Sequence, residues 1–152
     1  MWQRIQTVWL LLVGLLMALF AFQDIAVFTL PSGQACVLDN WCIYSAVDGA
    51  SLHSVWGIGI LSVLTALGSL ALIFLYKRRI LQMRLTILTL LVILGELIYI
   101  AWASWQFCTE NDASFAVRFP LALPTICLPL LYLASRRMIY DETLVRASQR
   151  LR

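Results

Sequence analysis

The chain has 152 residues, of which 62% are hydrophobic and 12% charged; its formal net charge is +3 and its mean hydropathy +0.87. Soluble domains carry about 45–50% apolar and about 25% charged residues, so a water-soluble globule, a disordered chain and a nucleic-acid binder are excluded. Four cysteines at this length are too sparse for a secreted disulfide miniprotein.

Charges punctuate four apolar runs, bracketed by Arg4 and Asp24, His53 and Lys77, Arg84 and Glu110, and Arg118 and Arg136. About 20 apolar residues in a helix cross a hydrocarbon core of about 30 Å. Helices satisfy their own backbone in lipid, so each run is read as a span. The predicted fold is an all-α membrane protein with four transmembrane helices, at about 5–23, 54–76, 85–107 and 115–135. Residues 136–152 form a basic tail, and residues 1–152 form a single domain. The first run starts like a secretory signal but lacks a small-x-small cleavage site near Ala18 and Ala21, so it is read as a retained span.

Between the first two spans, Ile25 to Leu30 reads as a short strand, Pro31-Ser32-Gly33 as a turn, and Cys42 to Val47 as a second strand closed by Asp48-Gly49. A small hairpin or cap is expected there. The short link from Lys77 to Arg84 makes the second and third helices antiparallel neighbours.

Orientation follows from the basic residues. Arg4, Lys77, Arg78, Arg79, Arg84, Arg136, Arg137, Arg146, Arg150 and Arg152 fall on one side, and Arg118 alone on the other. By the positive-inside rule both termini are cytoplasmic, and the expected location is the cell inner membrane, multi-pass. Trp2, Trp9, Trp56, Tyr76, Tyr99, Trp102, Trp105 and Tyr132 near the span ends read as an aromatic belt. In the tail, Leu144, Ala147 and Leu151 recur at helical spacing beside arginines. Such a segment lies on anionic headgroups or docks a cytoplasmic partner.

Glu96 is the sharpest single residue, about 18 Å along its helix from Arg84. An intramembrane carboxyl is costly and faces the bundle interior. Proton relay, cation coordination and a hydrogen bond to another helix are its candidate jobs. With no second intramembrane acid or base, the preferred reading is a protonated glutamate bonded to a neighbouring carbonyl or hydroxyl. Pro120, Pro124 and Pro129 point to a kinked packing helix, or to freed carbonyls lining a pathway. Gly59, Ser62, Ala66 and Ser69 share a face of the second helix and signal close packing.

Cys36 and Cys42 could close the outer hairpin as a disulfide. Four spans with outward cysteines also look like the quinone-linked disulfide oxidases. That family carries Cys-x-x-Cys in its first outer loop and two cysteines in its second, whereas here five residues part the first pair and Cys108 stands alone, with Cys127 inside the fourth span. No cofactor or metal is expected: there is no metal-ligand spacing, glycine-rich phosphate loop or serine elbow. His53 reads as an interfacial polar residue.

Three segments carry a resemblance. They are Met1 to Thr7 (MWQRIQT), Phe74 to Leu85 (FLYKRRILQMRL) and Asp141 to Arg152 (DETLVRASQRLR). Together they resemble the small four-helix inner-membrane proteins of Bacteroidetes catalogued as a domain of unknown function. The resemblance spans the full length and implies a polytopic membrane protein with no assigned activity. All three segments fall on the basic side, which directs attention to a cytoplasmic surface suited to anionic headgroups, a membrane-protein partner or a second copy. The leading expectation is a non-enzymatic accessory or scaffolding subunit. The alternatives are a quinone-linked thiol oxidoreductase using the outward cysteines, and a small proton- or ion-coupled transporter using Glu96.

Overall fold

The computed structural model describes residues 3–75 and 78–150; the side chains of residues 3–6, 79, 141–142 and 144–150 lie outside that description. Helix α1 spans Gln3–Phe20, α2 Trp56–Phe74, α3 Arg79–Asn111 and α4 Ala122–Arg150. Strands β1 to β4, Ala26–Thr29, Ala35–Leu38, Cys42–Ser45 and Ser51–Ser54, connect α1 to α2; β5, Ser114–Val117, lies between α3 and α4.

These five strands form one antiparallel sheet in the order β4-β3-β2-β1-β5. The all-α expectation is therefore corrected: the molecule is a helical bundle with a sheet across one end. The β1–β2 turn falls at Pro31-Ser32-Gly33, where Gly33 takes a φ of 81°, a left-handed value that favours glycine. The expected second strand is β3, but it does not pair with β1. Strand β2 lies between them.

The fourth apolar run is divided in two. Its first residues form β5, and the helix proper starts at Ala122 after a 3-10 turn over Phe119–Leu121. Pro120 has no N–H to bond a carbonyl one turn back and its ring crowds that turn, so the helix does not run back through it into β5. Pro124 sits in the first turn of α4, where a missing N–H costs nothing, and Pro129 lies inside the helix.

The helices pack as a closed square in which α1 and α3 each touch both α2 and α4. Inward positions recur at helical spacing: Leu10, Val13, Met17 and Phe20 on α1; Ile93, Glu96, Ile100, Ala103 and Phe107 on α3; Cys127, Leu131, Ala134 and Met138 on α4. The opposite faces are exposed and equally apolar, as at Leu15, Leu19, Leu64, Leu67, Leu88, Leu91 and Ile98. Patches of that extent are not stable in water. Three helical stretches are long and apolar enough to cross a membrane, Trp56–Phe74, Ile80–Asn111 and Phe119–Tyr140, and Thr7–Phe20 is a shorter apolar helix.

The inner face of the sheet sits on the bundle end. Ala26, Phe28, Cys36, Leu38 and Ile43 are buried there, and the Phe28 ring lies 4.8 Å from that of Phe107 and 5.4 Å from that of Phe115. At the opposite end, the buried Gln82 side chain donates to the Leu72 carbonyl at 3.0 Å and so satisfies the last turn of α2.

Candidate functional site: a buried polar junction beneath the sheet

Three buried polar side chains, Asn40, Ser62 and Glu96, converge where the β2–β3 turn meets three helices. Asn40, in that turn, is fully buried. Its Nδ2 donates to the carbonyls of Phe20 at 2.8 Å and Gln23 at 3.1 Å, closing the end of α1. Its own carbonyl accepts from the Gly59 N–H at 2.8 Å in the first turn of α2. One residue thus caps the end of one helix and the start of the next. Gly59 is required there, because a Cβ would lie 2.9 Å from the Trp41 ring and 3.0 Å from the Asn40 oxygen.

Asn40 Oδ1 lies 3.2 Å from the Ser62 hydroxyl on α2, and that hydroxyl also lies 2.9 Å from the Ile58 carbonyl. Its third partner is Glu96 Oε1 on α3, a fully buried carboxyl. A serine hydroxyl has one hydrogen to donate, and three acceptor oxygens surround it here. The count closes best when Glu96 is neutral and its own O–H donates to Ser62, which passes its hydrogen to Ile58 or Asn40. A charged carboxylate would be costly in this position, for Glu96 has no ion-pair partner among the described residues. Its second oxygen, Oε2, has no hydrogen-bond partner among them either. Cys127, on α4, is also fully buried.

Glu96 lies inside the bundle, beside a hydroxyl from another helix. Ser62 belonged to a face read only as a packing surface. Asn40 was missed altogether, since a single asparagine in a loop carries no distinguishing signal before its turn is folded.

The two outer cysteines, expected as a possible disulfide or as free thiols, stand apart in the sheet. All four cysteines are free, and the β2–β3 register pairs Cys36 with Ser45, three residues along β3 from Cys42. Strand residues rise about 3.3 Å each, so the two thiols stand about 10 Å apart along the strand and on opposite faces of the sheet. A disulfide requires Cα atoms within about 7 Å, so the sheet does not bring this pair together. Burial also pushes the Cys36 thiol above its ordinary value of 9.0, away from the thiolate that exchange chemistry uses.

On the sheet's other side a second polar group joins separate elements. Arg118 Nη1 donates to Asp24 Oδ2 at 2.7 Å, and the Tyr44 hydroxyl lies 3.3 Å from Asp24 Oδ1. Burial first, then the Asp24 charge, raises the Tyr44 phenol above its usual range and keeps it a donor. His53 is exposed on β4, opposite Ile43.

Of the basic residues, Arg78, Arg84, Arg136 and Arg137 are exposed at the bundle end away from the sheet. Lys77 and Arg152 lie outside the described residues, and Arg4, Arg79, Arg146 and Arg150 are placed by backbone alone. Among the described residues no group of three His, Cys, Asp or Glu side chains could hold a metal ion.

No curated protein and no solved structure matches the chain. A family model does, along residues 2–151, so the chain belongs to the family described as a domain of unknown function, DUF4293.

Proposed function

We propose that the chain is a multi-pass protein of the bacterial inner membrane, acting as a non-enzymatic accessory or scaffolding subunit. Its cytoplasmic face is basic and its sheet faces outward. The observation that supports this reading is the separation of charge from the sheet: among the described residues, eight of the nine arginines lie on the helices or the α2–α3 link away from the sheet, and Arg118 alone lies with it. Such a distribution orients a polytopic protein and offers carboxylate or phosphate groups an array of planar guanidinium forks. The polar junction supports a structural role, because Asn40 and Ser62 commit their hydrogen bonds to joining the sheet to the bundle.

Charge reversal at Arg78, Arg79, Arg146 and Arg150 together should release the partner that copurifies in mild detergent, read by mass spectrometry of the tagged protein. A complex that survives all four changes would refute the basic-face version.

One observation favours a second reading, a proton- or ion-coupled transporter. Glu96 Oε2 is buried without a partner among the described residues. In that case Glu96→Gln would abolish substrate-coupled proton or cation flux in proteoliposomes. Unchanged flux in the variant would remove this alternative.

A further inference from the structure

A groove runs along the sheet-proximal half of α3, bounded by β5 and by Leu121 of the 3-10 turn that precedes α4. Ile100, Ala101, Ser104, Trp105 and Cys108 line it from α3 and Phe115 from β5; its volume is about 380 Å³. Within it lies an unmet polar group. Ser104 is 4% exposed, and its hydroxyl has no hydrogen-bond partner among the described residues. Thr65, Thr86, Thr89 and Thr109 in these helices each bond to the carbonyl one turn back, whereas Ser69 on α2, which does not line this groove, is unmet as Ser104 is. A buried donor left unmade is a cost that a bound acceptor removes.

We propose that this groove binds one acyl chain of a membrane phospholipid from the leaflet on the sheet side, with the Ser104 hydroxyl donating to the lipid's ester carbonyl. Depth identifies the part of the lipid. Ser104 precedes Asn111, the last residue of α3, by about 10 Å of helix at about 1.5 Å per residue. That is the level just beneath headgroups, where ester carbonyls lie. Exposed Trp105, next to Ser104, belongs at the same interface. From there the tail would follow Ala101 and Ile100 toward the bilayer centre. A headgroup alone would not fit, because no lining side chain is charged. The inference rests on the chain spanning a bilayer.

The test uses the full chain purified in mild detergent and native mass spectrometry to count and weigh retained lipid. One phospholipid per chain should survive washing. Ala101→Trp, which fills the groove from an exposed position, should lose it. Ser104→Ala should still bind lipid but release it about three- to tenfold faster, the effect of one hydrogen bond. Cys108 reports independently: delipidation should increase its labelling by an apolar alkylating reagent, whether or not Ala101→Trp folds. No retained lipid on a membrane-inserted chain would overturn the proposal, as would an adduct unaffected by both variants. So would an isoprenoid quinone or a second copy of the chain in the lipid's place. A chain recovered in the soluble fraction would instead overturn the membrane reading itself.

Discussion

Asn40 links more separate pieces of this molecule than any other described side chain in the polar junction. Its amide serves two carbonyls at the end of α1, those of Phe20 and Gln23, and its carboxamide oxygen lies beside Ser62. Asn40→Ala would remove the bonds to Phe20, Gln23 and Ser62; the Phe20 carbonyl keeps the Gln23 N–H at 3.1 Å and Gln23 is exposed, so a loss of about 1–3 kcal/mol is expected. Thermal unfolding in detergent should show this as a lowered midpoint. An unchanged midpoint would mean that water reaches these carbonyls and that the junction is not sealed. Glu96 was legible from the sequence because a carboxyl in an apolar run has few places to go. Asn40 was not, because its importance arises from which helix ends the turn approaches, and that is a long-range property.

The sheet shows why some elements are legible and others are not. Strands β1 and β3 carry β-branched or aromatic residues in short runs bounded by turn residues, and both can be read from sequence. Strand β4 is Ser-Leu-His-Ser, fully exposed, and is held by pairing with β3 alone. Strand β5 is Ser-Phe-Ala-Val in front of an apolar run, where it looks like the start of a span. Pairing with β1 decides its conformation, and Pro120 keeps the helix from extending back into it. The sheet also separates the thiols. Cys42 is half-buried on the outer face and Cys36 fully buried beneath, so alkylation in the folded protein should modify Cys42 first. Because only thiolate reacts and burial raises the Cys36 thiol, its labelling should set in at higher pH than that of an exposed thiol. Peptide mapping after timed labelling resolves the two. Equal rates would show that the sheet opens readily from the bundle.

At the scale of the whole molecule, the helices were legible as apolar runs because lipid-facing and inward-facing residues are both hydrophobic. For the same reason the sequence could not show which face meets which neighbour. The sidedness of the proposed topology has a direct check. In intact cells, an impermeant thiol reagent should reach Cys42 near the sheet. It should reach a cysteine introduced as Arg84→Cys only after the membrane is opened. Labelling of Arg84→Cys in intact cells would invert the orientation.

The position of β1 also has a consequence for how the protein is made. One neighbour, β2, follows it within a few residues, but the other, β5, is a long-range partner: Thr29 and Ser114, paired across the two strands, are 85 residues apart. Ribosomes add about 5–20 residues per second, so the edge of β1 waits roughly 4–17 s for its second neighbour to be synthesised. In the proposed topology, a four-strand meander with an unpaired edge would stand outside the membrane during that interval, while α2 and α3 are still being inserted. An unpaired edge is a template for any extended chain nearby. Biogenesis of this small protein therefore has a vulnerable period that its finished form conceals, and slowing translation between Ser54 and Ser114 would lengthen it.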